Sequence, residues 1–515
     1  MGLTHSRHPK PNKPTDIPPQ SFSHIQLQFL ENLFKAEFKG KILQKGSGDY
    51  TGEITPWNLR CAPKPLAIVY PLNADEVATV VRIATKHGIP VQPRSGGHSF
   101  ASYSLGGKDD ALVVDLSKMN TVVVDQTTWR ATIGGGTRLK KVTDELYNQG
   151  QRTMAHGICP QVGIGGHATV GGQGPLSRMY GLTLDHVVEM EVVLADGSIT
   201  RVNEEINSDL FFALRGAGAS FGIVTQFIFE THPVPEATTN YTFQLKYGTH
   251  EELATIFLQW QDFISSPAVS NDRAFNSLIT ITSNIILIQG SRLGSRDDFE
   301  TSEIFVSMKK MFTVDIKTHE LDWLGSIVNW ATIAVESLAG SMNIPLYMKS
   351  LSVRQNKLLT PETVHAWFDY MHNNSPKDAV WVIIGDMQGG RISDFPNDST
   401  AYSLRDCMYT LCAYSIGGVP YPDDALAYMN GMIHTISTNM PDGNFGVYPG
   451  YVDPLIPNTQ WPTQYWGENY PRLLAIKKKY DPTNTFSNPQ SVGADRRPPA
   501  KPAFQMKGSQ PVLNV

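Results

Sequence analysis

The sequence predicts a two-domain α+β protein, and three observations predict it. The chain has 515 residues, whereas a single hydrophobic core rarely grows beyond roughly 250–300 residues. Between about residues 65 and 235, short apolar strand candidates alternate with helices and glycine loops. From 236 to about 450 the strand-like stretches lengthen and alternate with longer helical ones, the pattern of an antiparallel sheet backed by helices.

Taken in order, residues 1–20 are polar and Pro-rich and read as a flexible tail. The first domain then spans 21–235. LAIVYPL is a short buried strand, and the following helix is capped by Asn73, carries Val77, Val80, Val81 and Ala84 on one face, and stops at Gly88. IPVQPRSGGHS runs from a strand into a glycine loop. ALVVDL and TVVVD are further strands, and TRLKKVTDELYNQG sets Leu139, Val142 and Leu146 along a helix. VVEMEVVLADGSITRV reads as two strands joined at Asp196-Gly197, and FGIVTQFIFETHPVP closes the domain. In the second domain, 236–450, TNYTFQLKY, SLITITSNIILIQGS and AVWVIIGDMQGG read as strands. EELATIFLQWQDFI and TPETVHAWFDYMHN read as helices. Residues 451–515 return to the first domain, helical at NYPRLLAIKKKY.

Composition narrows the function classes. The formal net charge is -5 and no basic run occurs, so the chain has no electrostatic footprint for nucleic acid. No apolar stretch approaches the ~18 residues of a membrane span. The N-terminus lacks the apolar core of a secretory signal, which predicts an intracellular protein. Cys61, Cys159, Cys407 and Cys412 are too few for a disulfide scaffold and fit no zinc spacing, so no metal site is expected.

Two glycine loops carry the chemistry. Gly163-Ile-Gly165-Gly166-His167-Ala168 satisfies a dinucleotide fingerprint, with Asp185 about 20 residues on. Its context does not: MAHGICPQ is no buried strand, and Gly171, Gly172, Gly174 and Pro175 would break the helix that should follow. Such loops do let backbone N–H groups approach a flat or anionic ligand closely. Arg94-Ser95-Gly96-Gly97-His98-Ser99 is a second loop of this kind, with a cation added. One loop carries a His and the other a Cys, which suggests a large cofactor gripped from two sides.

RSGGHSF at 94–100, HGICPQVGIGGHATVGGQGPLSRMYGL at 156–182 and LFFALRGAGASFGIVTQFIF at 210–229 resemble the FAD-binding domain of the berberine bridge enzyme-like flavoproteins. These belong to the vanillyl-alcohol oxidase and p-cresol methylhydroxylase (PCMH) superfamily. WGENYPRLLAIKKKYDPTNTFSNPQSV resembles their C-terminal segment, and among these flavoproteins the chain is similar to the fungal oligosaccharide oxidases. The resemblance implies a PCMH-type FAD-binding domain with FAD held by two covalent bonds, from His98 and Cys159. It places Arg94, Ser95, Gly96, Gly97 and Ser99 in one pyrophosphate loop, and Gly163, Gly165, Gly166, His167, Gly171 and Gly172 in the other. Ile223 and Val224 match a strand lying along the flavin. It further implies a small-molecule substrate and molecular oxygen as acceptor.

Oxidation of an alcohol or amine sends a hydride to the flavin and a proton to a base. By the resemblance the base is Asp386, three residues before Gly389-Gly390, and its position in VWVIIGDM predicts a carboxyl with a raised pKa. Tyr451 in YPGYVDP matches a family tyrosine expected to share a proton network with that carboxylate. The substrate side departs from the family. Where glucooligosaccharide oxidases read Trp, x, Gln, x, Asp, this chain has Val382, Ile384 and Asp386; a second family Gln aligns with Cys412, and Phe100 lacks a hydroxyl. Sugar sites need paired hydrogen-bonding groups and stacking faces. The sequence therefore predicts an oxidoreductase of an apolar or aromatic natural product in secondary metabolism, with a carbohydrate oxidase as the alternative.

Overall fold

The structure is a computed structural model that describes residues 24–338 and 343–494. The tail expected at 1–20 lies outside the described residues. Strands β1 (Lys41–Gln44), β2 (Ala67–Tyr70), β3 (Val91–Arg94) and β4 (Leu112–Asp115) form a sheet in the order β1-β2-β4-β3. Strands β2 and β3 both run parallel to β4. Every residue of β2 and β4 is buried, which is why both read as unbroken apolar runs. The helix Ala74–Lys86 covers one face. Its start is set by the Asn73 side chain, which accepts a hydrogen bond from the Glu76 N–H.

The next strands are β5 (Val122–Val124), β6 (Ala131–Gly134), β7 (Arg152–Thr153), β8 (Val187–Val193), β9 (Ile199–Val202), β10 (Ile223–Phe229) and β11 (His232–Pro233). Five of them form an antiparallel sheet ordered β5-β6-β10-β8-β9, and β7 pairs with β11. Leu210–Leu214 pack on this sheet in one core with Trp461, Tyr465, Trp466, Tyr470 and Leu473. The C-terminal segment thus completes the first half of the molecule.

The second half is a seven-stranded antiparallel sheet. Its strands are β12 (Thr238–Lys246), β13 (Phe275–Ile281), β14 (Ile285–Leu293), β15 (Lys317–Leu321), β16 (Leu346–Arg354), β17 (Val380–Met387) and β18 (Cys407–Ile416), ordered β15-β12-β14-β13-β17-β18-β16. SLITITSNIILIQGS is a hairpin, β13 and β14, rather than one strand. Helices His250–Ser265, Pro361–Asn374 and Asp423–Asn439 back one face. Side chains alternate along a strand, so Trp381, Ile383 and Met387 of β17 enter that helix-covered core, while Ile384 and Asp386 face the other way. Gly385 is required here: a Cβ would stand 3.1 Å from the Trp260 ring and 2.8 Å from Ile279.

Two buried arginines fasten the halves together. Arg405 donates to both oxygens of Asp185 at 2.8 Å each. Arg178, on the turn Ser177–Tyr180, donates to the carbonyls of Val269, Ser270, Asp272, Phe275 and Gln388. Among the described residues no helix is long and apolar enough to cross a membrane.

Candidate active site

Between the halves lies one cavity of about 730 Å³. The loop Ser95–Phe100, Cys159, Gly163, Gly165, Gly166, His167 and Val224 line it from the first half. Ile384, Asp386 and Cys412 line it from the second, and Tyr451 from the start of the C-terminal segment. The two glycine loops sit backbone to backbone at its wall: a Cβ on Gly96 would collide with the backbone N of Gly163, and one on Gly163 with the backbone N of Gly96. Ser95 locks them together, donating to the Gly135 carbonyl at 2.7 Å and accepting from the Gly165 N–H at 3.3 Å.

His98 and Cys159 therefore face the same space from the two interlocked loops. Burial, with the Arg138 charge adding to it, lowers the His98 pKa to about 4, so the imidazole is neutral. Burial pushes the Cys159 thiol up. His167 accepts from the Gly157 N–H at 2.8 Å and so holds the segment that presents Cys159. Its pKa is lowered to about 3, chiefly by burial.

Five of the residues expected at the site do not line this cavity: Arg94, Gly171, Gly172, Ile223 and Val382. Arg94 does not face the cavity: it is ion-paired with Asp115 and Glu53 and donates to the Tyr70 hydroxyl at 2.9 Å, because burial beside those carboxylates claims its donors. Gly171 and Gly172 stand behind the wall, where Cβ atoms would meet Tyr448 and Thr183, and the Gly172 N–H donates to the Tyr448 hydroxyl. Ile223 is buried in the core of the first sheet, while its neighbour Val224 lines the cavity. Val382 packs with Leu346, Met348, Cys412 and Tyr414, beneath Trp57 and Phe100, and does not line the cavity.

Asp386 sits in the row Leu278–Asp386–Thr410 across β13, β17 and β18. Its half-buried carboxyl faces the cavity. Burial raises its pKa to about 7, partly offset by a hydrogen bond from Gln388 and by the Arg178 charge. Arg178 has its own pKa lowered to about 10, mainly by burial. Sequence reasoning missed it, since nothing in Ser-Arg-Met-Tyr distinguishes a buried arginine from a surface one. Tyr451 lines the cavity edge-on to Phe100 at 5.6 Å and to Tyr448 at 4.8 Å. Its phenol, raised well above its usual pKa by burial, faces Cys412. Among the described residues no direct hydrogen bond joins Tyr451 to Asp386. The Cys412 thiol is pushed up to about 12 by burial.

Residues 65–203 match the family described as FAD binding domain, and residues 427–493 match berberine and berberine like. The FAD-linked oxidoreductase dpmaF of Metarhizium anisopliae is 36% identical over 470 residues, covering 88% of this chain and 89% of that one. The FAD-linked oxidoreductase sorD of Penicillium rubens is 34% identical over 445 residues, covering 86% and 93%. The chain belongs to the berberine bridge enzyme-like FAD-linked oxidoreductases. The solved glucooligosaccharide oxidase of Acremonium strictum shares 31% identity with it at a TM-score of 0.83, covering 91% of this chain and 99% of that chain. In that enzyme the FAD is 6-S-cysteinyl and 8α-N1-histidyl.

The cavity of this FAD-linked oxidoreductase fits a large flat cofactor on its own evidence. It reaches from Ala217–Ser220, Asn488 and Gln490 to the β-sheet of the second half, and its wall carries glycines at points where any Cβ would clash. The Gln173 Oε1 is buried at this wall without a partner, although its amide donates to the Tyr402 hydroxyl at 3.1 Å. Arg138, whose charge reaches His98, lies beside the Ser95–Ser99 loop, and the backbone N–H groups of such a glycine loop suit an anionic portion.

Proposed function

We propose that this chain holds FAD through both His98 and Cys159 and oxidises an alcohol or amine of an apolar or aromatic natural product in secondary metabolism. Asp386 is the proton acceptor in this reading, and molecular oxygen takes the electrons. One observation carries it: a carboxyl with a pKa near 7 opens, from among Leu278, Ile384 and Cys412, into the cavity that His98 and Cys159 share. FAD, when bound, supplies the hydride acceptor.

The remaining work falls to the side chains. A neutral imidazole at His98 has a ring nitrogen lone pair with which to bond carbon. His167 and the Ser95 hydrogen bonds keep Cys159 and His98 facing one space. Asp386, about half ionised near pH 7 and more so above it, accepts the substrate proton. Its aliphatic neighbours keep the carboxylate poorly solvated and thus basic. Phe100, Ile384 and Cys412 offer a substrate apolar surface and a thiol rather than paired hydrogen-bonding groups.

A second reading, an oligosaccharide oxidase forming a lactone and hydrogen peroxide, is favoured by the 0.83 TM-score to a glucooligosaccharide oxidase. Anaerobic mixing with panels of aromatic and polyketide alcohols and of oligosaccharides separates the two. Bleaching of the flavin by the first panel alone is expected; robust hydrogen peroxide release from any oligosaccharide would establish the second reading instead.

A further inference from the structure

The sheet floor of the cavity has two polar ends. Asp386 of β17 pairs with Leu278 of β13, which pairs with Gln289 of β14, which pairs with Thr242 of β12. Residues directly opposite one another point to the same face. The adjacent row runs Leu287, Thr280, Ile384, Cys412. Gln289 and Thr280 therefore lie diagonally beside each other, and Gln289 stands two strands from Asp386. Strands are about 4.8 Å apart, which separates the two by about 10 Å.

Gln289 is 4% exposed and Thr280 7%, and both line the cavity. Neither side chain makes a hydrogen bond to any described residue. Neighbouring polar side chains on the same sheet do find partners. Asn276 donates to Pro175 and Ser291 and accepts from the Ser291 N–H. Asn240 donates to Ser326 and accepts from Asn329. A buried amide with nothing to bond weakens the fold, so buried polar groups are ordinarily paired. Thr238 and Ser415 of the same sheet are buried without a partner away from the cavity, whereas Gln289 and Thr280 turn their polar atoms into it.

We infer that the substrate carries a second polar group, a carbonyl or amide, which Gln289 binds about 10 Å from the atom that reacts at Asp386, with Thr280, the diagonal neighbour of both, beside it. This rests on the reading of Asp386 as the reacting end. The primary amide of Gln289 offers two donors and an acceptor, and the Thr280 hydroxyl offers one donor and two acceptor sites. Between Gln289 and Asp386 stands Leu278, flanked by Leu287 and Ile384 of the adjacent row, and these three can meet only an apolar frame. A sugar would set hydroxyls against those three side chains; a molecule with polar ends and an aromatic or alkyl middle would not.

The test uses the holoenzyme under nitrogen with two probes of matched shape, 4-acetamidobenzyl alcohol and 4-isopropylbenzyl alcohol. Perturbation of the flavin spectrum reports binding and bleaching reports oxidation, so the two are read separately. The amide probe is expected to bind the unmodified protein at least about tenfold more tightly than the alkyl probe. Gln289→Met should remove that preference without changing alkyl affinity, and Thr280→Val should remove part of it. The melting temperature of Gln289→Met should hold, because the amide opens into the cavity and makes no hydrogen bond within the protein. Equal affinity or no affinity for both probes, or weakening of both alike by Gln289→Met, would overturn the inference. If neither probe bleaches the flavin while the amide preference survives, the role given to Asp386 fails and the Gln289 site stands.

Discussion

Asp185 and Asp386 are both acidic side chains at the junction of the two halves, and they are held in opposite ways. Asp185 has both oxygens taken by Arg405 and also accepts from the Leu182 N–H at 2.8 Å. Among the described residues Asp386 has no ion pair, and Arg178, whose charge reaches it, spends its donors on backbone carbonyls. A carboxylate whose lone pairs are filled is a fastener. One left open to an apolar cavity keeps a proton affinity suited to neutral pH. What separates a structural acid from a candidate base is thus the company each keeps, not depth alone.

Exchanging the chemistry of the two acids tests this contrast. Asp386→Asn is expected to slow anaerobic flavin reduction by about 10²–10⁴-fold, the range for loss of a positioned base, while leaving the melting temperature near that of the unmodified protein. Asp185→Asn should do the reverse. Leaving Arg405 buried without its partner costs about 3–5 kcal/mol of stability, read in denaturant unfolding, with turnover per folded molecule largely kept. Equal effects of the two substitutions on both readouts would break the distinction.

The loops give the next effect. In Gly96→Ala the added Cβ falls on the Gly163 backbone, which cannot yield without separating the interlocked loops. Flavin incorporation, read as the ratio of flavin to protein absorbance, should fall by more than half. The pH dependence is smaller. With the Asp386 pKa raised to about 7, flavin reduction should slow about tenfold per unit as pH falls below that value, and Asp386→Asn should flatten the profile. The sign for stability follows from linkage. The native carboxyl still holds its proton between its ordinary 3.8 and about 7, where the unfolded chain has released it. Stability from this group is therefore full at low pH and lost as pH rises through 7.

The first half of the molecule was legible because its signals are local. Asn73 caps the helix it was expected to cap, Asp196-Gly197 makes the turn between β8 and β9, and β2 and β4 are buried runs that read as such. The dinucleotide decoy failed for a local reason too: Ile164–His167 is a single turn of helix, not a long one. The site was legible only in part. Its loops carry glycines that no other residue could replace, but which way a side chain points is decided by distant partners. Asp115 and Glu53 turn Arg94 away from the cavity, and Leu346 and Met348 cover Val382. Gln289 acquires meaning only when strand pairing sets it two positions across from Asp386. Arg178 is similar, since its five carbonyl partners lie about 90 to 210 residues away in the chain.

The central claim is that one FAD is bonded from both loops at once, facing Asp386. Denaturation in acid or detergent, followed by gel filtration, tests it most directly. The yellow flavin should remain with the unmodified polypeptide and with His98→Ala or Cys159→Ala alone, and should separate only from the double variant. Release of flavin from the unmodified protein would contradict the account.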